Sequence, residues 1–312
     1  MTRVVFMGTP DFAVPSLKAL IEQPDFEVVG VVTQPDRPAG RGRKVEASPV
    51  KREAERYAIR CFQPETLRKP EDVETLLRWQ PEIIVVVAFG QILKLPILNA
   101  PQWGCINVHA SLLPRWRGAA PIQYAIRAGD AQSGVTIMKM DAGLDSGPII
   151  QQQSIPLAAD ETGASLHDKL ATLGARLLPA ALSATITGKI LPQPQPSEGI
   201  TLARTLIKDD GRIDWSQPAS AIDRLVRAFT PWPGTFTTLG GGYLKVHRGG
   251  VVTGETNLPP GTLLIDGGNL HVQTGESFYR LDEIQPAGKQ RMSVQAFLAG
   301  RPDTIGKILG GD

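Results

Sequence analysis

The sequence predicts an α/β fold in which a Rossmann-like, doubly wound and mostly parallel sheet is followed by a small antiparallel β-barrel. Two observations carry this prediction. The first half alternates short apolar, β-branched runs with helical patterns, which is typical of parallel strands covered on both faces. The last third of the chain is rich in glycine and turns and contains closely spaced short strands, as small barrels do.

The predicted elements of the first half follow one another as β–α–β units. The strands are predicted at residues 4–7, 27–33, 83–88, 104–109 and 134–140, and the helices from Pro15, near 50–57 and near 70–79. The first turn, Gly8-Thr-Pro-Asp11, lacks a Gly-x-Gly-x-x-Gly pattern, and the chain has no Gly-Lys-Ser/Thr motif. A dinucleotide dehydrogenase and a P-loop enzyme are therefore disfavoured.

A proline-rich stretch, Leu191-Pro-Gln-Pro-Gln-Pro-Ser197, follows a helical segment near residues 165–187. Such a composition is typical of a semi-rigid linker. We therefore expect a first, catalytic domain over residues 1–189, a linker over 190–205 and a C-terminal domain over 206–312. Within the last domain, a helix near 219–228 precedes strands near 243–247, 262–265 and 270–273.

The composition excludes several classes of protein. Of the 312 residues, 42% are hydrophobic and 21% charged, which is ordinary for a globular protein. No apolar run approaches the roughly 20 residues of a membrane span, and the N-terminus lacks signal-peptide features, so we expect a cytoplasmic protein. Neither Cys61 nor Cys105 has a second Cys or His at metal-ligand spacing, so we expect core thiols and no metal.

The net charge of +2 argues for no particular partner. Any contact with nucleic acid must therefore depend on a local arrangement of basic residues. Residues 33–52 contain six basic side chains, for which a solvated surface loop is the usual interpretation: Arg37, Arg41, Arg43, Lys44, Lys51 and Arg52.

Two polar side chains stand two residues apart near the end of a predicted strand. Asn107 and His109 share a face if residues 104–109 form a strand, and open α/β sheets build their sites at the carboxyl ends of strands. The alternative is that both side chains satisfy local backbone groups. A glycine-punctuated turn over residues 141–147 favours chemistry, because its Asp145 can orient and charge a histidine.

Other uses of these residues remain as alternatives. A Ser-His-Asp hydrolase would use Ser111 as its nucleophile, but Ser111 begins the sequence Ser-Leu-Leu-Pro and lacks a Gly-x-Ser-x-Gly elbow. A non-catalytic RNA-binding module would have no use for Asn107, His109 and Asp145. Both alternatives are therefore disfavoured.

The chain resembles the folate-dependent formyltransferases. The motifs occur in the family's order through nearly the whole chain: Gly8-Thr-Pro-Asp-Phe12, residues 33–42, Val85-Val-Val-Ala-Phe-Gly90, residues 107–123, residues 134–147 and Arg227-Ala-Phe-Thr-Pro-Trp-Pro233. The sequence departs from the family's motifs at two positions. Ala110 stands where the family has Gly, and Phe89 stands where Tyr is common. Neither position carries the expected chemistry.

The resemblance implies formyl transfer from 10-formyltetrahydrofolate to an amine, without a metal. This reaction passes through a tetrahedral adduct whose oxygen is negatively charged, so hydrogen-bond donors must point at that oxygen. The family's catalytic trio falls on Asn107, His109 and Asp145. The Asn107 amide and a protonated His109 would be the donors, and Asp145 would favour the imidazolium and help move protons.

The resemblance also implies an acceptor, the α-amine of methionyl initiator tRNA, and hence a role in translation initiation. The alternative acceptor is a sugar nucleotide or a purine precursor, but neither explains both the arginine-rich segment and the C-terminal domain. That domain would be an OB-like β-barrel that binds tRNA, and we expect a monomer. The implied folate contacts are Phe89, Gly90, Ile92, Ser111, Leu112, Leu113, Pro114 and Asp141, and the implied tRNA contacts are Arg37, Arg41, Arg43, Lys44, Arg115 and Arg117.

Overall fold

The computed structural model describes residues 1–39, 44–254, 257–301 and 304–311, with the backbone alone at Ala39 and Lys44. The chain divides into two compact units. The first unit comprises Met1–Pro121, Gln132–Pro156 and His167–Ala203, and the second comprises Ile122–Ala131, Leu157–Leu166 and Arg204–Asp312.

The first unit contains a seven-stranded sheet and two short ribbons. Its strands are β1 (Thr2–Gly8), β2 (Phe26–Val32), β3 (Arg37–Ala39), β4 (Lys44–Glu46), β5 (Cys61–Phe62), β6 (Ile83–Val87), β7 (Cys105–His109), β8 (Arg117–Gly118), β9 (Gln132–Lys139), β10 (Ile149–Pro156) and β11 (Leu202–Ala203).

The large sheet is parallel over most of its width. Its strand order is β10-β9-β7-β6-β1-β2-β5, and the last five of these strands are parallel to one another. Strand β9 runs in the opposite direction, because it pairs antiparallel with both β7 and β10. Because the strand order reverses between β1 and β6, the carboxyl ends of these strands border the crevice in which open α/β sheets bind ligands.

The helices are α1 (Val14–Ile21), α2 (Pro49–Arg56), α3 (Pro70–Leu77), α4 (Leu95–Leu98), α5 (Pro121–Ala128), α6 (Gly163–Ile186), α7 (Ala219–Ala228) and α8 (Val294–Ala299). The start of α2 follows directly from its sequence. Ser48 accepts a hydrogen bond from the Lys51 N–H at 3.1 Å, and Pro49 occupies the first turn, where its missing N–H is not needed.

Apolar residues of the central strands form the core of the first unit. Strands β1 and β6 are almost completely buried, as expected for strands covered on both faces. Gly30 of β2 leaves room for the Trp79 ring, because a Cβ at this position would lie 2.4 Å from the ring. The glycine therefore lets the Trp79 ring approach β2 closely.

The second unit contains a six-stranded antiparallel sheet. Irregular pairing between β13 and β16 near Arg248 is the kind of feature that bends strands in curved sheets. A buried core that includes Trp215, Tyr279 and Phe297 packs with this sheet. The strands are β12 (Thr235–Leu239), β13 (Gly242–Val252), β14 (Leu263–Asp266), β15 (Asn269–Gln273), β16 (Phe278–Pro286) and β17 (Met292–Ser293).

The predicted fold class is confirmed, because a mostly parallel α/β sheet is followed by an antiparallel sheet. The predicted linker over residues 190–205 lies mostly in the first unit, which extends to Ala203. None of the helices within the described ranges is both long enough and apolar enough to cross a membrane.

Gly30→Ala should reduce the free energy of unfolding by about 1–3 kcal/mol, because the new methyl group would overlap the Trp79 ring. The expected result is a fall of several degrees in melting temperature, measured by circular dichroism.

Gly300→Ala is the matched control. A Cβ at Gly300 has no heavy atom within 4 Å, and the residue has an ordinary φ of −99°. Equal melting temperatures for the two variants would contradict the packing argument.

Candidate active site

Two of the predicted catalytic residues lie near the carboxyl end of β7. Asn107 and His109 lie opposite Met138 and Thr136 of β9, so they share one face of the sheet. Both side chains are buried, with exposed fractions of 9% for Asn107 and 6% for His109. The predicted spacing therefore places an amide and an imidazole side by side.

Asp145 joins this pair from the loop between β9 and β10. Its Oδ1 accepts from Asn107 Nδ2 at 3.4 Å, and its Oδ2 lies 3.7 Å from His109 Nδ1. The Gly118 N–H also donates to Oδ2, at 2.8 Å. The structure thus brings together the three side chains that the sequence predicted to act jointly.

Both ring nitrogens of His109 face oxygen atoms that can only accept hydrogen bonds. Nε2 lies 3.0 Å from the Trp116 carbonyl oxygen, and Nδ1 faces the Asp145 carboxylate. An imidazolium has an N–H for each of these acceptors. The His109 ring therefore lies between the Trp116 carbonyl and the Asp145 carboxylate.

The turn that carries the Trp116 carbonyl is held by a distant part of the chain. The Trp116 N–H donates to Thr201 Oγ1 at 2.9 Å, and the Arg117 N–H donates to the Thr201 carbonyl at 2.9 Å. Strand β11 then pairs with β8. Trp116 itself adopts a left-handed φ of 62°, so this turn depends on its hydrogen bonds for its conformation.

Gln195 connects the same turn to the Asp145 loop. Its Nε2 donates to the carbonyl oxygens of Asp145 and Gly147, each at 2.8 Å. Its Oε1 accepts from Arg117 Nε at 3.1 Å and from Arg117 Nη2 at 2.7 Å. Sequence reasoning missed Gln195 and Thr201, because both lie in the segment predicted as a linker.

Ser111 is not placed as a nucleophile. Its hydroxyl donates to the Arg115 carbonyl at 2.6 Å, and only 1% of the residue is exposed. Leu113 is also buried, and its N–H donates to Thr136 Oγ1. Leu112 and Pro114 are half-buried, so this turn presents them, rather than the serine hydroxyl, to its surroundings.

The segment after β6 borders the crevice at the strand-order reversal. Phe89 is buried, and its carbonyl accepts from Thr9 Oγ1 and from Gln34 Nε2, each at 3.2 Å. Gly90 has a left-handed φ of 82°, whereas Ile92 is 69% exposed. This segment therefore combines a fixed backbone with an accessible apolar side chain.

Asp141 stands apart from the catalytic trio. It is exposed and accepts hydrogen bonds from the Gly143 N–H at 3.0 Å and from the Ser146 hydroxyl at 2.8 Å. These contacts shape the start of the loop that presents Asp145. The two acids of this motif thus have different surroundings.

The predicted basic residues differ in their contacts. Arg37 is exposed, whereas Lys51 is paired with Asp36 at 2.6 Å. Their hydrogen bond lowers the pKa of the Asp36 carboxyl and raises that of the Lys51 ammonium. Lys51 therefore anchors the base of the basic segment.

Arg41 and Arg43 lie outside the described residues, as does the side chain of Lys44. The Arg115 guanidinium lies 4.2 Å from the centre of the Trp116 ring, a cation–π distance. Arg117 points toward Gln195.

The two cysteine side chains are poorly suited to nucleophilic chemistry. Burial raises the pKa of Cys61 to about 11 and that of Cys105 to about 12, which keeps both as thiols. The described parts of the chain contain no cluster of three His, Cys, Asp or Glu side chains suited to a metal. A cavity of about 180 Å³ in the second unit is lined by Glu161 and Arg227, among others, and by none of the predicted site residues.

Comparisons with known proteins identify the family of the chain. Residues 2–182 match the family described as formyl transferase, and residues 205–302 match the formyl transferase C-terminal domain. A methionyl-tRNA formyltransferase from Myxococcus xanthus is 50% identical over 96% of this chain and 95% of its own length. Another, from Methylococcus capsulatus, is 46% identical over 99% of both chains.

Among solved structures, the chain is similar to an N-formyltransferase from Helicobacter canadensis in complex with folinic acid and dTDP-3-aminofucose. The TM-score is 0.64 at 16% identity, covering 94% of this chain and 100% of that one. Similarity at this level of identity shows a shared fold.

Ser111 should resist fluorophosphonate reagents, because its hydroxyl is buried and donates to a backbone carbonyl. The measurement is the intact mass of the protein after incubation with an excess of the reagent, with an authentic serine hydrolase as the positive control. An adduct on Ser111 would return the hydrolase alternative to consideration.

Proposed function

The chain belongs to the formyl transferase family, and we propose that it transfers the formyl group of 10-formyltetrahydrofolate to the α-amine of methionyl initiator tRNA, for translation initiation. The observation that carries this proposal is the convergence of Asn107, His109 and Asp145 at the carboxyl end of β7. The methionyl-tRNA formyltransferases support the acceptor, because the similarity extends over nearly the full length of both chains. The sugar 3N-formyltransferase WlaRD shares the fold at 17% identity.

The reaction needs no atom beyond its two substrates. The neutral amine attacks the formyl carbon, and the carbonyl oxygen takes up negative charge in a tetrahedral adduct. The bond from that carbon to the folate nitrogen then breaks, and a proton moves from the former amine to the departing nitrogen. The products are formylmethionyl-tRNA and tetrahydrofolate.

Asn107 and His109 are the proposed donors to the adduct oxygen. Asn107 has two N–H groups, and its contact with Asp145 uses one of them. The His109 Nε2–H rests against the neutral carbonyl of Trp116. Hydrogen bonds to charged acceptors are about twice as strong as neutral ones, so exchanging this carbonyl for the oxyanion stabilises the adduct more than the substrate.

Asp145 is the proposed partner of the imidazolium. Its carboxylate faces Nδ1 while Gly118 and Asn107 hold its two oxygens. Such an arrangement supports proton movement between the attacking amine and the leaving folate nitrogen without reorienting the carboxylate.

The proposed folate site lies in the crevice next to this trio. Gly90, Ile92, Leu112, Pro114 and Asp141 are accessible or half-buried, which suits contact with a flat ring system. Phe89, Ser111 and Leu113 are buried, and their proposed contribution is to fix the walls of the site.

The proposed tRNA contacts are Arg37, Arg41, Arg43, Lys44, Arg115 and Arg117, together with the second unit. Exposed basic residues of that unit include Lys208, Arg248 and Lys289. Phosphate groups favour such cations regardless of sequence. Residues 206–312 are the proposed tRNA-binding domain. The proposed active form is a cytoplasmic monomer, and a molar mass measured by light scattering would test whether it is monomeric.

Asn107→Ala and Asp145→Ala should each lower kcat by about 10²–10³-fold, because each removes a group that stabilises the adduct or moves its proton. The measurement is formylation of methionyl initiator tRNA by labelled 10-formyltetrahydrofolate, with folding checked by circular dichroism. Near-normal kcat in either folded variant would reject its catalytic role, and wild type that formylates no tRNA would reject the proposed function.

The triple change Arg41→Ala, Arg43→Ala and Lys44→Ala should raise the KM for tRNA and leave the KM for folate unchanged. The logarithm of the tRNA binding constant should fall with the logarithm of the salt concentration, and removing one cation that binds a phosphate should reduce this slope by up to about one unit. Arg41→Lys separates charge from shape, since lysine lacks the planar guanidinium.

The control is the triple change Arg68→Ala, Lys69→Ala and Arg78→Ala, which removes the same charge from an exposed surface near α3. If both triple variants have the same salt slope, net charge explains the effect and the basic segment is ordinary surface. Full activity of Arg41→Lys would leave an electrostatic role and exclude specific recognition by Arg41.

A further inference from the structure

We propose that Gln195 is a positioning residue of the active site, which holds Asp145 against His109 through the backbone of the Asp145 loop. The inference rests on the catalytic roles proposed above for these two residues. Gln195 lies in the proline-rich segment that the sequence predicted to be a linker. Both polar atoms of its side chain form hydrogen bonds, Oε1 with Arg117 and Nε2 with the Asp145 loop.

The Asp145 loop needs such support because its conformation is unfavourable. Asp145 has a left-handed φ of 47°, which costs a residue with a side chain about 1–3 kcal/mol. Gln195 Nε2 donates to the carbonyls of Asp145 and Gly147, both at 2.8 Å. Two bonds from a single amide nitrogen thus fix the backbone on both sides of Ser146.

The same side chain reaches the turn that completes the surroundings of His109. Gln195 Oε1 accepts two hydrogen bonds from Arg117. The neighbouring residues of that turn provide the Trp116 carbonyl for His109 and the Gly118 N–H for Asp145. Gln195 therefore sets the distance between two loops that contact His109 from different sides.

The backbone of the segment is itself anchored. Gln193 exchanges two backbone hydrogen bonds with Ile149 of β10, at 2.7 and 2.8 Å. Its side chain donates to the Leu191 carbonyl within its own segment. Gln193 and Gln195 are thus the same residue type two positions apart, but only Gln195 bonds to the catalytic loops.

The chemistry of the amide explains why a glutamine suits this position. An amide offers N–H donors to carbonyls on one side and an oxygen acceptor to a guanidinium on the other. A glutamate keeps the acceptor for Arg117 and places a carboxylate against the carbonyls of Asp145 and Gly147. A methionine has similar length and offers neither strong donors nor strong acceptors.

The test compares full-length Gln195→Met and Gln195→Glu with the matched controls Gln193→Met and Gln193→Glu. The assay is formylation of methionyl initiator tRNA by labelled 10-formyltetrahydrofolate. Both variants at 195 should lower kcat by about 10- to 100-fold, since a displacement near 1 Å can have such an effect. The KM for folate should stay within about twofold of each control. Because unfolded protein would also lower the apparent kcat without changing KM, kcat is expressed per folded, folate-binding enzyme.

The Glu variant isolates the contact with the Asp145 loop, because Arg117 remains paired with a carboxylate. Its KM for tRNA should match that of Gln193→Glu, which carries the same added charge. If the Met variant does not fold, the Glu variant alone decides the test.

Three results would overturn the inference. The first is kcat within about twofold of the controls for both variants at 195, with wild type active and Asp145→Ala impaired. The second is a loss of kcat in the Met variant alone, which would assign the effect to the Arg117 contact. The third is full activity of Asp145→Ala, which would remove the catalytic role on which the inference rests.

Discussion

The contact between the Asp145 carboxylate and the side chains of β7 is the constraint on which the rest of the site depends. One oxygen faces Asn107 and the other faces His109, while the Gly118 N–H fixes the second oxygen. A carboxylate in these contacts cannot rotate without losing the two hydrogen bonds and the contact with the imidazole. The direction of the His109 ring follows from this carboxylate and from the Trp116 carbonyl on its other side.

The fold and the shared face of Asn107 and His109 were predictable because each rests on a local pattern, whereas the predicted role of Asp145 depends on the family resemblance. The apolar runs that became β1, β2 and β6 are rich in β-branched residues, as buried parallel strands require. Asn107 and His109 are two residues apart, so the strand period alone placed them on one face. The domain bounds at 189 and 205 remain predictions, although hydrogen bonds tie Gln193, Gln195 and Thr201 to the first unit.

Gln195 and Thr201 were not predictable, because their function depends on backbone groups. Gln195 bonds to the backbone carbonyls of Asp145 and Gly147. Because every residue has a backbone carbonyl, the residue types at 145 and 147 do not indicate such a contact. The surrounding prolines indicate an extended chain, and at Gln193 the backbone forms a bridge with Ile149, but prolines do not indicate which residues such a chain contacts. The same limit applies to charged residues. The number of basic residues in a segment does not show that Lys51 is already paired with Asp36.

Two residues with positive φ, Asp145 at 47° and Trp116 at 62°, carry the groups on either side of His109. Each conformation costs about 1–3 kcal/mol and persists only where surrounding contacts outweigh that cost. The contacts come from Gln195 for the first and from Thr201 for the second. Residues 1–189 therefore contain every proposed catalytic side chain, but not the Gln195 and Thr201 hydrogen bonds that hold the Asp145 loop and the Trp116 turn. It follows that the structural boundary of the active site lies near Ala203, beyond the proline-rich stretch.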